Sequence, residues 1–244
     1  MISIIVPLFN EEENASRYPQ TLFPVVEPIL KEFGETAEYV LVDDGSRDTT
    51  LVVLNTLKEK YPGVVVVPHG VNKGLGVAVR TGIANSRGDL VVMLDADLTY
   101  RPEDIRKLLA AYRETGADCI SGSPYMEKEL TSEVSSPFRI FISKSSSFLY
   151  RKLLRDDLTC VSGIFRLYKK EALDSLTLES NNYEVFAEII AKLILGGKDV
   201  REIGVKLHTR QFGESKLNVK KEVLNNLRVL YKIFRSRYLG RTWN

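Results

Sequence analysis

The chain is poor in the features that mark several classes of protein. It has 2 cysteines in 244 residues, Cys119 and Cys160, which are too few for a disulfide framework and suit a reducing compartment. Its 34 basic and 32 acidic residues leave a net charge of +2, which argues against a protein that binds nucleic acid through bulk charge. No window approaches the roughly 18 apolar residues that are needed to cross a bilayer.

The opening residues also lack the basic start and the long apolar region of a signal peptide. Residues Ile2–Val6 are typical of a strand instead. The sequence therefore predicts a cytoplasmic protein, or one that lies at the cytosolic face of a membrane without spanning it.

What the sequence does contain is an alternation of short apolar runs with longer amphipathic ones. Four continuous apolar runs predict strands: Ile2–Val6, Tyr39–Val42, Val64–Val67 and Leu90–Leu94. Continuous hydrophobicity is typical of strands that are covered on both faces, as in a parallel sheet. Helices are predicted over Asn14–Phe33, Asp48–Lys60, Gly74–Ser86 and Pro102–Thr115. This order predicts a doubly wound α/β fold, with a mostly parallel sheet, helices on both faces and ligands at the carboxyl ends of the strands.

The second half of the chain is less regular. We predict a strand over Gly163–Tyr168, a helix over Tyr183–Leu195 and a strand over Val200–Leu207. A basic amphipathic helix follows. The expected organisation is one domain over residues 1–216 with a helical appendage over residues 217–244.

Acidic residues follow two of the predicted strands. Asp95 and Asp97 stand two residues apart after the strand Leu90–Leu94, so their side chains point to the same side. Such a pair favours Mg²⁺ or Mn²⁺, although a capping role in a turn is about equally consistent with the residues alone. Asp43 and Asp44 follow another strand, where a carboxylate can accept hydrogen bonds from a ribose or a base, or close a turn.

A glycine-containing segment, Asn72-Lys73-Gly74-Leu75-Gly76, opens a predicted helix. Its backbone amides and Lys73 are suited to holding phosphate, whereas a structural turn is the simpler explanation of the glycines.

Together these motifs resemble the family 2 inverting glycosyltransferases, which have the nucleotide-sugar-binding A-type fold. Two longer runs contribute to the resemblance: Ile4-Ile5-Val6-Pro7-Leu8-Phe9-Asn10-Glu11-Glu12 and Val42-Asp43-Asp44-Gly45-Ser46. The run Phe165-Arg166-Leu167-Tyr168-Lys169-Lys170 and the run Arg210-Gln211-Phe212-Gly213-Glu214-Ser215-Lys216 narrow the likeness to dolichyl-phosphate mannose synthases and other polyprenyl-phosphate glycosyltransferases.

The resemblance implies roles for particular residues. Asp95 and Asp97 are expected to hold Mg²⁺ or Mn²⁺ on the donor diphosphate. The nucleotide-sugar contacts that it implies are Pro7, Phe9, Glu11, Val42, Asp43, Asp44, Lys73, Ala96, Thr99, Lys170, Arg210 and Lys216. The acceptor-phosphate contacts that it implies are Arg139, Ser143 and Ser215. Asp157, Glu188 and Arg210 are the candidate catalytic residues. The chain departs from the family pattern at Pro124, where an arginine is usual, at Thr99, where a glutamine is usual, and at Phe9, where a tyrosine is usual.

The activity that the resemblance implies is metal-dependent, inverting transfer of a hexose to dolichyl or polyprenyl phosphate, with mannose from GDP-mannose or glucose from UDP-glucose as donor. Two alternatives stay open. One is a soluble transferase that acts on a hydroxyl and needs Glu188 or Asp157 as its base. The other is a nucleotide-sugar-binding subunit that needs a membrane-spanning partner.

The C-terminal segment carries eight basic residues and one acidic residue, Glu222, between Lys216 and Arg241. Apolar residues recur in it at helical spacing: Val219, Val223, Leu224, Leu227, Leu230, Tyr231 and Phe234. This pattern predicts a helix that lies on a membrane surface, or one that packs its apolar stripe on the body of the protein. The sequence predicts no nucleic acid partner.

Overall fold

The computed structural model describes residues 1–126, 148–210, 219–240 and 243. Within them, one sheet of seven strands has the order β3-β2-β1-β4-β6-β5-β7. The strands are β1 (Ile2–Leu8), β2 (Ala37–Asp43), β3 (Val64–Pro68), β4 (Leu90–Met93), β5 (Cys119–Ser123), β6 (Arg166–Lys169) and β7 (Val200–Gly204). The pairings of β1 with β2 and β4, of β2 with β3 and of β5 with β7 are parallel. Strand β6 is antiparallel to both of its neighbours, β4 and β5.

The helices are α1 (Glu12–Ala15), α2 (Tyr18–Thr21), α3 (Phe23–Glu32), α4 (Thr50–Lys60), α5 (Leu75–Asn85), α6 (Ile105–Thr115), α7 (Lys170–Asp174), α8 (Val185–Leu195) and α9 (Val219–Tyr238). A 3-10 turn, Pro102–Asp104, precedes α6.

Strand β1 shows how the sheet separates two apolar layers. All seven of its residues are buried. Ile4 and Val6 pack with α3, α4 and α6 on one face, whereas Ile5 packs with α5 and α8 on the other. Successive side chains of a strand point to opposite faces, so a strand that is apolar throughout requires cover on both. The predicted doubly wound fold is confirmed.

One expected helix differs in the structure, and one strand was not predicted. The single helix expected over Asn14–Phe33 is three helices, and α2 and α3 each carry a proline, Pro19 and Pro24, in the first turn. Proline lacks the N–H that would continue a preceding helix and suits a first turn. Strand β5 was not expected, because Cys119–Ser123 contains two serines and a glycine and gives no apolar run.

Helix α9 packs one face on the body of the protein. Val229 and Ile233 are buried in the same apolar cluster as α8. The opposite face is exposed and is also apolar. In the part of the chain that the structure describes, no helix has the length and apolarity that crossing a membrane requires.

Candidate active site

The carboxyl ends of β1, β2 and β4 lie at one edge of the sheet because the three strands are parallel. The segments that follow these strands carry the predicted motifs. Glu11 follows β1, Asp44 follows β2, and Asp95 and Asp97 follow β4. The fold therefore brings together motifs that are distant in the sequence, as expected for a ligand site at this edge.

Asp95 and Asp97 lie in a tight turn that Thr99 closes. The backbone N–H of Thr99 donates to Asp95 Oδ2 at 3.0 Å and to Asp97 Oδ1 at 3.2 Å, and the Thr99 hydroxyl also donates to Asp95 Oδ2. Leu98 has a φ of 52°, a left-handed conformation that is costly for a side chain of this kind. Such conformations cluster at functional sites. Thr99 thus orients the aspartates in this structure.

The two aspartates influence each other's protonation. Burial, and then the hydrogen bond and charge of Asp97, raise the pKa of Asp95 well above its usual range. Burial acts to raise the pKa of Asp97 as well, but the hydrogen bond from Asp95 and the charge of Arg210 prevail and lower it. The two shifts have opposite signs because adjoining carboxyl groups resist ionising together, and Asp97 is the more acidic member of the pair.

Arg210 brings a positive charge to the site. Its Nε donates to Asp97 Oδ2, and its Nη2 lies 3.3 Å from Glu11 Oε1. Glu11 is held in turn by Asn14, whose side-chain amide donates to Glu11 Oε2 at 2.6 Å. Arg210 is separated from Asp97 by 113 residues and from Glu11 by 199, so the fold alone creates this cluster.

A buried tyrosine supports the turn from below. The Tyr18 hydroxyl donates to the carbonyl oxygen of Ala96 at 2.9 Å. Burial, and then the charges of Glu11 and Asp95, raise the pKa of Tyr18 well above its usual range, so that it remains a donor. Ala96 is thereby fixed between the two aspartates.

Asp44 closes the glycine-containing segment. Its Oδ1 accepts the N–H of Lys73 at 2.9 Å, and its Oδ2 accepts the N–H of Gly74 at 2.9 Å. The buried His69 places Nδ1 2.8 Å from Asp44 Oδ1 and Nε2 2.8 Å from the Thr81 hydroxyl. Asp44 therefore joins the end of β2 to the start of α5.

A cleft of about 390 Å³ lies beside Asp97. Its polar lining includes Arg17, Gln20, Arg101 and His208. Ala96 and Asp97 border this space together with His208 and Thr209, so the edge of the sheet is accessible to a charged ligand.

The comparisons with known proteins agree with this geometry. The model of the family described as glycosyl transferase family 2 matches residues 3–177. The chain belongs to this family.

Two curated relatives extend over most of the chain. The dolichol-phosphate mannosyltransferase of Pyrococcus furiosus is 35% identical over 240 residues, which are 96% of this chain and 64% of that protein. The undecaprenyl-phosphate 4-deoxy-4-formamido-L-arabinose transferase of Pseudomonas fluorescens is 29% identical over 216 residues, 88% of this chain and 60% of that protein. The chain thus spans about three-fifths of the length of these relatives.

Solved structures of glucosyl-3-phosphoglycerate synthase from Mycobacterium tuberculosis share the fold. The complex with Mn²⁺, uridine diphosphate and glucosyl-3-phosphoglycerate has a TM-score of 0.65 at 20% identity, covering 97% of this chain and 79% of that one. The complex with Mg²⁺ and uridine diphosphate has a TM-score of 0.67 at 19% identity, with the same coverage. The predicted A-type fold is confirmed.

Several residues that were predicted to contact the nucleotide lie at the site or in the core that supports it. Val42 is fully buried in the core, so its side chain contacts other core residues. The Asp43 carboxylate accepts the N–H of Ser46 at 3.3 Å and closes a turn. Pro7 is buried in β1, and Phe9 follows that strand. Their roles toward a nucleotide remain predictions.

Glu188 is placed differently from the expectation. It is fully buried, and Lys192 Nζ lies 3.0 Å from its Oε1. Its carboxylate also accepts the N–H groups of Glu179 and Ser180. A carboxylate so occupied has no access to a substrate. The prediction that Glu188 is catalytic is corrected to a structural role.

Lys170 is not at the site. Because β6 runs antiparallel to β4, the end of β6 lies at the amino end of β4, where the N–H of Lys170 donates to Asp89 O at 2.8 Å. The six residues from Asp89 to Asp95 span about 20 Å of strand. The side chain of Lys170 pairs with Asp174 on α7. The predicted nucleotide contact of Lys170 is therefore wrong.

Asp157 also lies apart from Asp95. It is 68% exposed, pairs with Arg155 and lines a separate cleft with Glu202 of β7. Strand β7 is three strands from β4, about 14 Å across the sheet. The structure does not bring Asp157 to the site. Four further predicted residues, Arg139, Ser143, Ser215 and Lys216, lie outside the described residues.

Tyr183 is a residue that the sequence analysis missed. Partial burial of its ring raises its pKa; the charge of Arg210 acts to lower that pKa, and the charges of Glu222, Asp97 and Glu11 act to raise it. Tyr183 lies in a polar loop that precedes α8. That loop has no periodic apolar pattern and no motif, so nothing in the sequence pointed to Tyr183.

The aspartate pair suits a divalent cation. Two adjoining carboxyl groups offer oxygens to a single cation, and a hard divalent cation would offset the repulsion between their charges. Among the described residues, no group of three or more His, Cys, Asp or Glu side chains forms a complete metal site. Asp95 and Asp97 would hold Mg²⁺ or Mn²⁺ together with ligands from the substrate, as is usual for Mg²⁺.

Proposed function

We propose that this protein transfers a hexose, with inversion, from a nucleotide diphosphate sugar to a polyprenyl or dolichyl phosphate. The observation that carries the proposal is the cluster of Asp95, Asp97, Glu11 and Arg210 at the carboxyl edge of the sheet. The Pyrococcus furiosus relative, named for dolichol phosphate and mannose, makes GDP-mannose the first donor to test. UDP-glucose is the second, since uridine diphosphate binds the fold neighbour.

The chain's residues have separable tasks in this reaction. Asp95 and Asp97 would hold Mg²⁺ or Mn²⁺, and such a cation would supply positive charge for the leaving diphosphate. Arg210 provides a permanent positive charge for a phosphate group. Asp44 and the amides of the segment Asn72–Gly76 shape the donor end of the site.

The placement of the carboxylates favours a phosphate acceptor over a hydroxyl. A hydroxyl acceptor needs a general base, which Glu188 or Asp157 was expected to supply. Glu188 is buried in an ion pair with Lys192. Asp157 is exposed, pairs with Arg155 and lies apart from Asp95. A phosphate monoester has a second pKa near 6 and is largely ionised at neutral pH, so it attacks without such a base.

The test is a donor and acceptor panel. The protein is incubated with Mn²⁺, polyprenyl phosphate and radiolabelled GDP-mannose or UDP-glucose, followed by lipid extraction. We expect label from one donor in the organic phase, and none when the lipid lacks its phosphate. Label that appears only on hydroxyl acceptors would support the alternative transferase and reject the proposal.

The exposed face of α9 supports attachment to a membrane surface. Five apolar side chains, each between 44% and 60% exposed, recur at spacings of three and four: Leu224, Leu227, Tyr231, Phe234 and Tyr238. Arg228, Arg235 and Arg237 lie on the same helix. Large aromatic and aliphatic side chains among arginines are typical of helices that lie in the plane of an anionic membrane.

Replacing Leu227 and Phe234 together by serine is expected to weaken binding to vesicles of phosphatidylcholine and phosphatidylglycerol by about tenfold or more, since each buried side chain contributes ~1.5–3 kcal/mol. Cosedimentation measures the effect. The control is Val52→Ser, which removes an apolar side chain that is 66% exposed on α4. Equal binding of the double variant and the wild type would reject membrane attachment through α9.

A further inference from the structure

Residues 177–183, which we call the strap, connect α7 to α8 and lie against the segment that opens α5. The N–H groups of Glu179 and Ser180 donate to the Glu188 carboxylate at 3.0 and 2.8 Å. Lys192 Nζ donates to the carbonyl oxygen of Thr177 and lies 3.0 Å from Glu188 Oε1. The backbone of the strap is therefore hydrogen-bonded to both members of one ion pair, Glu188 and Lys192.

That ion pair is almost fully removed from water. The side chains of Glu188 and Lys192 are 0% and 1% exposed. A buried pair is costly unless further hydrogen bonds satisfy both charges, and here the strap backbone supplies them. The charges and the strap conformation consequently depend on each other.

The upper side of the strap contacts the start of α5. The carbonyl oxygen of Asn181 accepts the N–H of Gly76 at 2.9 Å, and its side-chain oxygen accepts Arg80 Nη2 at 2.8 Å. The approach leaves no room for side chains on the α5 segment. A Cβ at Gly74, whose φ is +98°, would lie 2.3 Å from Asn181 O, and one at Gly76 would lie 2.2 Å from Ser180 O.

The same α5 segment is bonded to Asp44. The N–H groups of Lys73 and Gly74 donate to the two Asp44 oxygens, both at 2.9 Å. A contact path therefore leads from Glu188 through the strap to Gly74 and then to Asp44.

We propose that Glu188 and Lys192 are positioning residues for the nucleotide-sugar donor, and that they act through the strap by fixing the segment Asn72–Gly76 against Asp44. The inference rests on the proposed function for its donor. Its structural part, the coupling of the ion pair to the Asp44 segment, stands independently of the substrate.

The test compares Glu188→Gln with a matched control. The glutamine keeps the volume but turns an amide towards backbone N–H groups and removes the charge opposite Lys192. The control is Glu38→Gln, since Glu38 is also a buried carboxylate that pairs with a cation and accepts a backbone N–H, both from Arg87, but it lies in β2 at the opposite end of the sheet. Arg80→Met is a second variant that loosens the strap from its partly exposed side, in case Glu188→Gln does not fold.

Two readouts judge the proposal. Hydrogen exchange of peptides covering residues 72–77 is expected to accelerate about tenfold or more in Glu188→Gln and Arg80→Met and to stay unchanged in Glu38→Gln. Calorimetric titration with GDP and with UDP, each with Mn²⁺, is expected to show about tenfold weaker binding of the nucleotide that the wild type binds, for the same two variants.

Unchanged exchange at residues 72–77 in both variants would overturn the proposal, whatever the nucleotide result. Faster exchange together with unchanged nucleotide affinity would overturn the positioning role. If the wild type binds neither nucleotide, the donor class of the proposed function fails, while the exchange experiment still decides whether the ion pair controls the Asp44 segment.

Discussion

Asp97→Asn is expected to reduce glycosyl transfer by about a thousandfold or more, because the variant loses an ionised carboxylate that would hold the divalent cation for the leaving diphosphate. Asp97 is the member of the pair with the lowered pKa and therefore carries its negative charge at neutral pH. The rate with the donor that the wild type uses measures the effect, and chelation of divalent metal is expected to abolish the same activity.

The control for this variant is Asp104→Asn. Asp104 also follows β4, in the 3-10 turn, but pairs with Lys107 at 2.8 Å. The fold is expected to tolerate Asp97→Asn, since Asp95 remains bonded to Thr99. A folded Asp97→Asn protein with more than a tenth of the wild-type rate would contradict the metal-binding role.

Arg210→Ala is expected to affect metal binding and transfer in opposite directions. The Arg210 guanidinium neutralises Asp97 and lies 3.3 Å from Glu11, so it competes with any cation for the same carboxylates. In the absence of substrate, removing the guanidinium is expected to tighten Mn²⁺ binding by about tenfold, equivalent to ~1.4 kcal/mol. Transfer is expected to fall by about a hundredfold or more, because a charge for phosphate is lost.

Mn²⁺ titration by calorimetry and the transfer rate separate these two effects. Arg106→Ala is the control with the same loss of charge, since Arg106 is half exposed and pairs with Glu32 away from the site. Arg210→Lys keeps the charge without the planar guanidinium and is expected to recover part of the transfer rate. Weaker Mn²⁺ binding by Arg210→Ala would contradict the competition between Arg210 and the metal.

The positions of the motifs in the first half of the chain could be predicted from the sequence, because each motif directly follows an apolar run that forms a parallel strand. Apolar runs that precede Asp43 and Asp95 predict parallel strands, and parallel strands end at one edge. The pairing of Arg210 with Asp97 could not be predicted, since no short-range pattern relates residues 113 positions apart.

The errors in the second half have a common cause. Lys170 was placed at the site from a resemblance, but β6 runs opposite to β4 and carries Lys170 to the far edge. The resemblance also implies a catalytic role for Glu188, and a sequence does not show that this charge is paired with Lys192. Strand direction and burial are tertiary properties, and both decide which side chains meet a substrate.

The sequence by itself therefore determined the fold class, the family and the position of the aspartate pair after β4, because each depends on short apolar runs and on residues close together along the chain. Only the tertiary structure decided which charges meet. It joined Arg210 to Asp97 and Glu11, paired Glu188 with Lys192 in a buried site, and brought Asn181 against Gly76. These contacts depend on the packing of helices across a mixed sheet, since a charge is held out of water only where the fold supplies its partner.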